Sequence, residues 1–347
     1  MSRHPRETYL PLGHTDAQTK FLQLSEQDHL PNGLMICGPR GIGKATLAYH
    51  LARQLLCGRH GDMEGVSKRI TAGSHADLLV VEPAFDQKKG EYAREITAEQ
   101  ARKVSSFLSL TSAESDWRVV IIDSADAMNV QAANAILKIL EEPPAHAILL
   151  LVCHQPGLLL PTIRSRCQML RLNAPPLADF TTILQELHPE VTKTEAAVLA
   201  ELTGRAPGLT IEYVEKEALE MYRSILEIVA ELPSYPYARI HKFAENLTRS
   251  QPHENWRLFT QLMLMLFARA AKAGSGIEAG GLTESEPQVL HIMSNLRPAD
   301  HWAEKWAECA EEFSVAEHLH LDYKQVIIAF FHSINTTKGF HTGILAA

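Results

Sequence analysis

MICGPRGIGKATLAYHLARQLL, from Met35 to Leu56, sets a short apolar strand, a glycine-rich turn and an amphipathic helix end to end. Within it, Gly38-Pro39-Arg40-Gly41-Ile42-Gly43-Lys44 matches the first seven positions of the phosphate-loop pattern G-x-x-x-x-G-K-[ST]. The glycines let successive backbone N–H groups turn inward around a phosphate. The helix N-terminus adds partial positive charge, and Lys44 reaches the outer phosphates. The eighth position departs from the pattern. It holds Ala45, which has no hydroxyl to place on Mg²⁺, and Thr46 is rotated about 100° further round the helix.

The rest of the first half repeats the strand–helix alternation. LMIC (34–37), DLLVVEP (77–83), RVVIIDSAD (118–126) and AILLLVC (147–153) are apolar runs of strand length. DAQTKFLQLSEQ, TAEQARKVSSFLSL (97–110) and Asn129–Glu142 have helical spacing, the last stopped by Pro143-Pro144. This predicts an α/β phosphate-loop domain on a parallel sheet. The segment 57–74, rich in glycine and charge, reads as an insertion or loop. Strand character ends near Leu172, and NAPPLAD (173–179) is a linker. Everything after it is helical in pattern. The expected domains are 1–173, a small helical lid over 174–212 and an all-α C-terminal collar over 213–347. The run IEYVEKEALEMYRSILEIVAEL reads as one long helix, WRLFTQLMLMLFARAAKA (256–273) as a buried one, and Trp302 and Trp306 as core neighbours on one helix face.

A hydrolytic site of this type needs an acid-tipped strand. RVVIIDSAD supplies Asp123, able to hold Mg²⁺ directly or through water, with a loop anchor at the strand end as the alternative role. The next position, where a carboxylate orients the attacking water, is Ser124. Two groups needed for phosphoryl transfer are therefore missing from one site. Hydrolysis near background is expected, with room for weakly bound ATP or ADP and no required cofactor.

Composition narrows the classes. The 347 residues carry 46% hydrophobic and 21% charged side chains and a net charge of −8. No global basic excess advertises nucleic acid. Five scattered cysteines imply no disulfide framework and fit a reducing cytoplasm. The N-terminus has no apolar run of the kind a signal peptide uses, and no stretch is apolar for long enough to span a bilayer. Cys57, His60 and His75 lack the paired spacing of a zinc site, so no metal is expected. Lys88, Lys89 and Arg94 read as a solvent-facing basic stretch.

GPRGIGKATLA, VVIIDSADAMNVQAANAILKILEEPP and LLLPTIRSRC, in that order, resemble the clamp-loader branch of the AAA+ ATPases. The specific marks are Leu137-Lys138-Ile139-Leu140-Glu141-Glu142-Pro143-Pro144 and the triplet Ser165-Arg166-Cys167, and the likeness covers residues 1–173. The resemblance implies a hetero-oligomeric component of bacterial DNA replication. Its partners would be gamma/tau-type ATPase subunits and a clamp-opening delta subunit, with a sliding clamp and primed DNA reached through the complex. Ala45 and Asp123-Ser124-Ala125-Asp126 resemble a non-hydrolysing stator within that branch. The alternative is an ATPase-active gamma/tau-type subunit, which Ser124 and the short C-terminal region disfavour. The resemblance also implies that Arg166 reaches a neighbouring subunit's ATP as an arginine finger, local pairing being its blander role. The nucleotide-contacting residues it implies are Gly38, Arg40, Gly41, Gly43, Lys44, Thr46 and Asp123. Two further polar positions of active relatives fall at Cys153 or His154 and near Gly204-Arg205-Ala206-Pro207-Gly208, where this sequence offers structural-looking residues.

Overall fold

A computed structural model describes residues 4–8, 14–27, 29–58, 61–86, 91–93, 95–277 and 281–334. His60, Lys88, Lys89 and Arg94 lie outside the described residues. The chain divides into two compact units, one of residues 1–190 with 204–210, the other of 191–203 with 211–347. The segment 174–212 is thus shared between them. No described helix is long and apolar enough to cross a membrane.

The first unit is built on five parallel strands: β1 (Gly33–Cys37), β2 (Leu78–Val81), β5 (Arg118–Asp123), β6 (Ala147–Cys153) and β7 (Gln168–Arg171), in the order β2-β5-β6-β1-β7. Two-residue strands β3 (Phe85–Asp86) and β4 (Glu91–Tyr92) form a separate antiparallel pair. Central β1 and β6 are buried at every residue, which is why their sequences are unbroken apolar runs. Alternate side chains feed two cores. Met35, Val120, Ile122, Leu149 and Leu151 face α4 (Ala98–Leu108) and α5 (Val130–Glu141). Leu34, Ile36, Val119, Ile121 and Leu150 face α1 (Thr15–Glu26), α2 (Lys44–Cys57) and α3 (Met63–Thr71). Short α6 (Pro161–Arg164) precedes β7, and α7 (Leu177–Leu187) completes the unit.

Helix α3 corrects the reading of 57–74 as a loop. Asp62 accepts the Glu64 N–H at its N-terminus, and Val66 and Ile70, four apart, are buried against α2. The glycines at 58, 61 and 65 hid that spacing.

The second unit is helical: α8 (Lys193–Leu202), the C-terminal part of α9 (Pro207–Glu215), α10 (Ala218–Val229), α11 (Tyr237–Arg249), α12 (Pro252–Gly274), α13 (Glu286–Leu296), α14 (Ala299–His318) and α15 (Tyr323–Ser333). The run expected as one long helix from Ile211 breaks at Glu217, whose φ of 52° lies in the left-handed region. Trp256, Phe259, Met263 and Phe267 make α12 a fully buried spine, with Trp302 stacked on Phe267 at 5.9 Å between ring centres. Trp306 is 44% exposed rather than core, because α14 presents only the stripe through Trp302, Cys309 and Phe313 to the interior.

Candidate functional site: an incomplete phosphate loop and an arginine at the other end of the sheet

The turn from β1 into α2 forms the loop that the glycines anticipate. Gly41 and Gly43 have φ of 75° and 95°, conformations that side chains with a Cβ rarely adopt. Gly41 also has a steric reason. A Cβ there would lie 2.5 Å from the Leu209 backbone nitrogen, because the N-terminus of α9 packs onto the loop. The Gly208 N–H donates to the Gly41 carbonyl at 2.8 Å. On the other side, buried His14 donates from Nε2 to the Ile42 carbonyl at 2.7 Å. Both contacts join segments far apart in sequence, and neither could be read from the motif.

Lys44 is buried, and its Nζ donates to the carbonyls of Gly38 and Pro39 at 2.8 and 2.7 Å. Burial lowers its ammonium to about 8, with Asp123 and Asp126 opposing the shift. Asp123 ends β5. Burial, with help from Glu82, raises its carboxyl to about 6, and Lys44 opposes that rise. The structure thus gathers a cation and an anion that are both held toward neutrality at the mouth of a glycine loop. That pattern marks functional clefts.

Around Asp123 stand Ser124 and His154. Ser124 Oγ lies 3.4 Å from Asp123 Oδ1 and 3.5 Å from His154 Nε2. The Asp126 carboxylate accepts the backbone N–H groups of His154 and Gln155, both at 3.1 Å, and so fixes the end of β6 beside the loop. Burial, then Lys44, lowers the His154 imidazole, which is neutral near pH 7. His154 is therefore a member of the site, whereas sequence reading gave it a structural role. Its signal was the position, directly after a buried strand next to β5.

Phosphate fits this frame: N–H groups at the start of α2, an ammonium, and glycine backbone that leaves room. Magnesium fits poorly. Ala45 offers no ligand and packs partly buried against the core, and half-buried Thr46 stands one residue along α2. Among the described residues, no three His, Cys, Asp or Glu side chains gather to hold a metal. His75 spends its Nδ1 on the Asp77 backbone N–H at 3.2 Å. Arg40 is exposed, and its charge adds to the lowering of the His154 imidazole.

Arg166 lies elsewhere. Strand β7 runs parallel to β1 with Gln168 opposite Leu34, so Arg166, two residues before it, is level with the start of β1. The phosphate loop leaves the other end of that strand. At ~3.3 Å per residue, the two are about 20 Å apart along the sheet. The Arg166 side chain is 38% exposed, its guanidinium paired with Glu141 at 2.8 Å and donating to the Thr162 carbonyl at 3.1 Å.

A family model described as "DNA polymerase III, delta subunit" matches residues 13–176. Those residues are similar to that family. They hold the loop, Asp123 and Arg166 alike. DNA polymerase III subunit delta' of Pseudomonas aeruginosa is 35% identical over 222 residues, 62% of this chain and 65% of that one. The same subunit of Bacillus subtilis is 34% identical over 185 residues, 51% of this chain and 52% of its own length. DNA polymerase III subunit tau of Bacillus subtilis is 30% identical over 157 residues, 43% of this chain and 26% of its own. The match thus spans between half and two thirds of the length of these two delta' relatives.

Proposed function

We propose that this chain is a delta-prime-type stator of a bacterial DNA polymerase III clamp loader. In this reading it cleaves no nucleotide itself. It lends Arg166 to the ATP site of a neighbouring gamma/tau-type subunit and, with a delta subunit, supports ATP-driven loading of a sliding clamp onto primed DNA in the cytoplasm. It needs no cofactor or zinc, and its own loop binds ATP or ADP weakly.

The placement of Arg166 carries this reading. An arginine about 20 Å from its own phosphate loop, at the opposite end of the neighbouring parallel strand, cannot stabilise charge developing on a nucleotide held there. It can serve a nucleotide held by another chain. The loop, with Ala45 and Ser124 where a magnesium hydroxyl and a water-orienting carboxylate belong, is consistent with a subunit that only donates.

Two assays test it. The purified chain should show no magnesium-dependent ATPase above that of its Lys44→Ala variant. In a loader reconstituted with its partner subunits, Arg166→Ala should cut turnover by about 10³-fold at the single site it faces, leaving assembly intact. Brisk turnover by the lone chain, abolished by Lys44→Ala, would install the catalytic gamma/tau-type reading instead.

A further inference from the structure

The Arg166 guanidinium is already held. Glu141 Oε1 meets Nη2 at 2.8 Å, the Thr162 carbonyl accepts from Nη1 at 3.1 Å, and Ser165 Oγ lies at 3.5 Å. Glu141 is the last residue of α5, so the arginine also sits where that helix ends, the end at which backbone dipoles favour a cation.

The platform beneath is tight. Pro143-Pro144 ends α5 one residue beyond Glu142, fixing where Glu141 stands. The neighbours of the pair in sequence, Leu140 and Cys167, close on Gly33 at the start of β1. A Cβ on Gly33 would lie 2.7 Å from Leu140 Cδ2 and 2.8 Å from Cys167 Sγ. The carboxylate and the guanidinium therefore project from one packed junction of α5, β1 and the Ser165–Cys167 turn. With Nη1 and one side of Nη2 engaged, the remaining N–H donors of a half-exposed fork are left for an external anion.

We infer that Glu141 is the positioning residue of Arg166: its carboxylate, with the Thr162 carbonyl, holds the guanidinium in the pose offered to the neighbouring subunit's nucleotide. This rests on the stator reading above. An exposed ion pair adds little to stability, so its effect falls on kinetics. Arginine has a long side chain with large rotamer entropy. Part of it is lost in advance when the side chain is held, and that part lowers the barrier only if the pose is the productive one.

The experiment uses the reconstituted loader of full-length chains, with steady-state ATPase measured for Arg166→Ala, Glu141→Ala, Glu141→Gln and the Arg166→Ala/Glu141→Ala double variant. Glu141→Ala should lower kcat at the affected site about three- to tenfold, with KM for ATP within about twofold of wild type. Glu141→Gln keeps an acceptor oxygen and should recover most of that loss. In the Arg166→Ala background, Glu141→Ala should change nothing more. Undiminished or raised kcat in Glu141→Ala, with Arg166→Ala impaired, overturns the inference alone. So does an equal loss from Glu141→Ala in both backgrounds. Unchanged turnover in Arg166→Ala overturns the stator reading, and this inference with it.

Discussion

Asp123→Asn should stabilise the first unit at neutral and alkaline pH and do nothing for it in acid. The Asp123 carboxyl, ordinarily near 3.8, stands at about 6 in the fold because burial disfavours its charge. A folded-state pKa above the unfolded one means that the folded chain keeps a proton the unfolded chain has already released. Stability is then greatest below about pH 4, falls between about pH 4 and pH 6, and stays low above. At about 1.4 kcal/mol per pKa unit, the penalty for the ionised carboxylate approaches 3 kcal/mol. Asparagine has nearly the same shape and no charge, so it removes that penalty. The attraction of Lys44 is already contained in that value, so the gain is at most about 3 kcal/mol. Urea denaturation of the full chain at about pH 4 and pH 8, read on the first unit's transition, should show a raised midpoint only at the higher pH, with the slope unchanged. A gain of equal size at both pH values, or a loss at pH 8, would refute the argument that burial of an ionised group sets the cost.

Two further outcomes follow from close packing. Gly41→Ala places a Cβ 2.5 Å from the Leu209 nitrogen on a backbone of φ 75°, and should destabilise by about 2–4 kcal/mol, lowering the thermal midpoint of the first unit by several degrees. In the second unit, fully buried Glu286 accepts from Tyr222 Oη and Arg269 Nε, each at 2.6 Å, so Glu286→Ala should cost about 3–5 kcal/mol in denaturant titration and Glu286→Gln less, since it still accepts hydrogen bonds.

What the sequence disclosed and what it hid divide along a physical line. Strands β1, β5 and β6 were legible because central parallel strands must be apolar on both faces, and AILLLVC matches β6 residue for residue. The loop was legible because its conformation demands glycine at fixed spacing. Contacts made by backbone carbonyls between distant segments leave no residue-type signature. His14 on Ile42 and Gly208 on Gly41 were therefore invisible. Trp306 was misplaced because i and i+4 differ by about 40° around a helix, enough to carry one indole into the core and leave the other in solvent.

The same contacts give the phosphate loop a structural part beyond any chemistry. Its carbonyls are occupied from within the unit: Gly38 and Pro39 by Lys44, Gly41 by Gly208, Ile42 by His14. The loop is a joint that fastens α1, α2 and the start of α9 to the tip of β1. Removing its glycines or its lysine loosens that joint. Replacing a hydroxyl by Ala45, or a carboxylate by Ser124, touches none of these bonds and leaves the fold whole. Under the proposed stator reading, a subunit that presents Arg166 needs the joint and can dispense with the chemistry, and Ala45 and Ser124 are departures from the hydrolytic pattern at positions that carry only the chemistry.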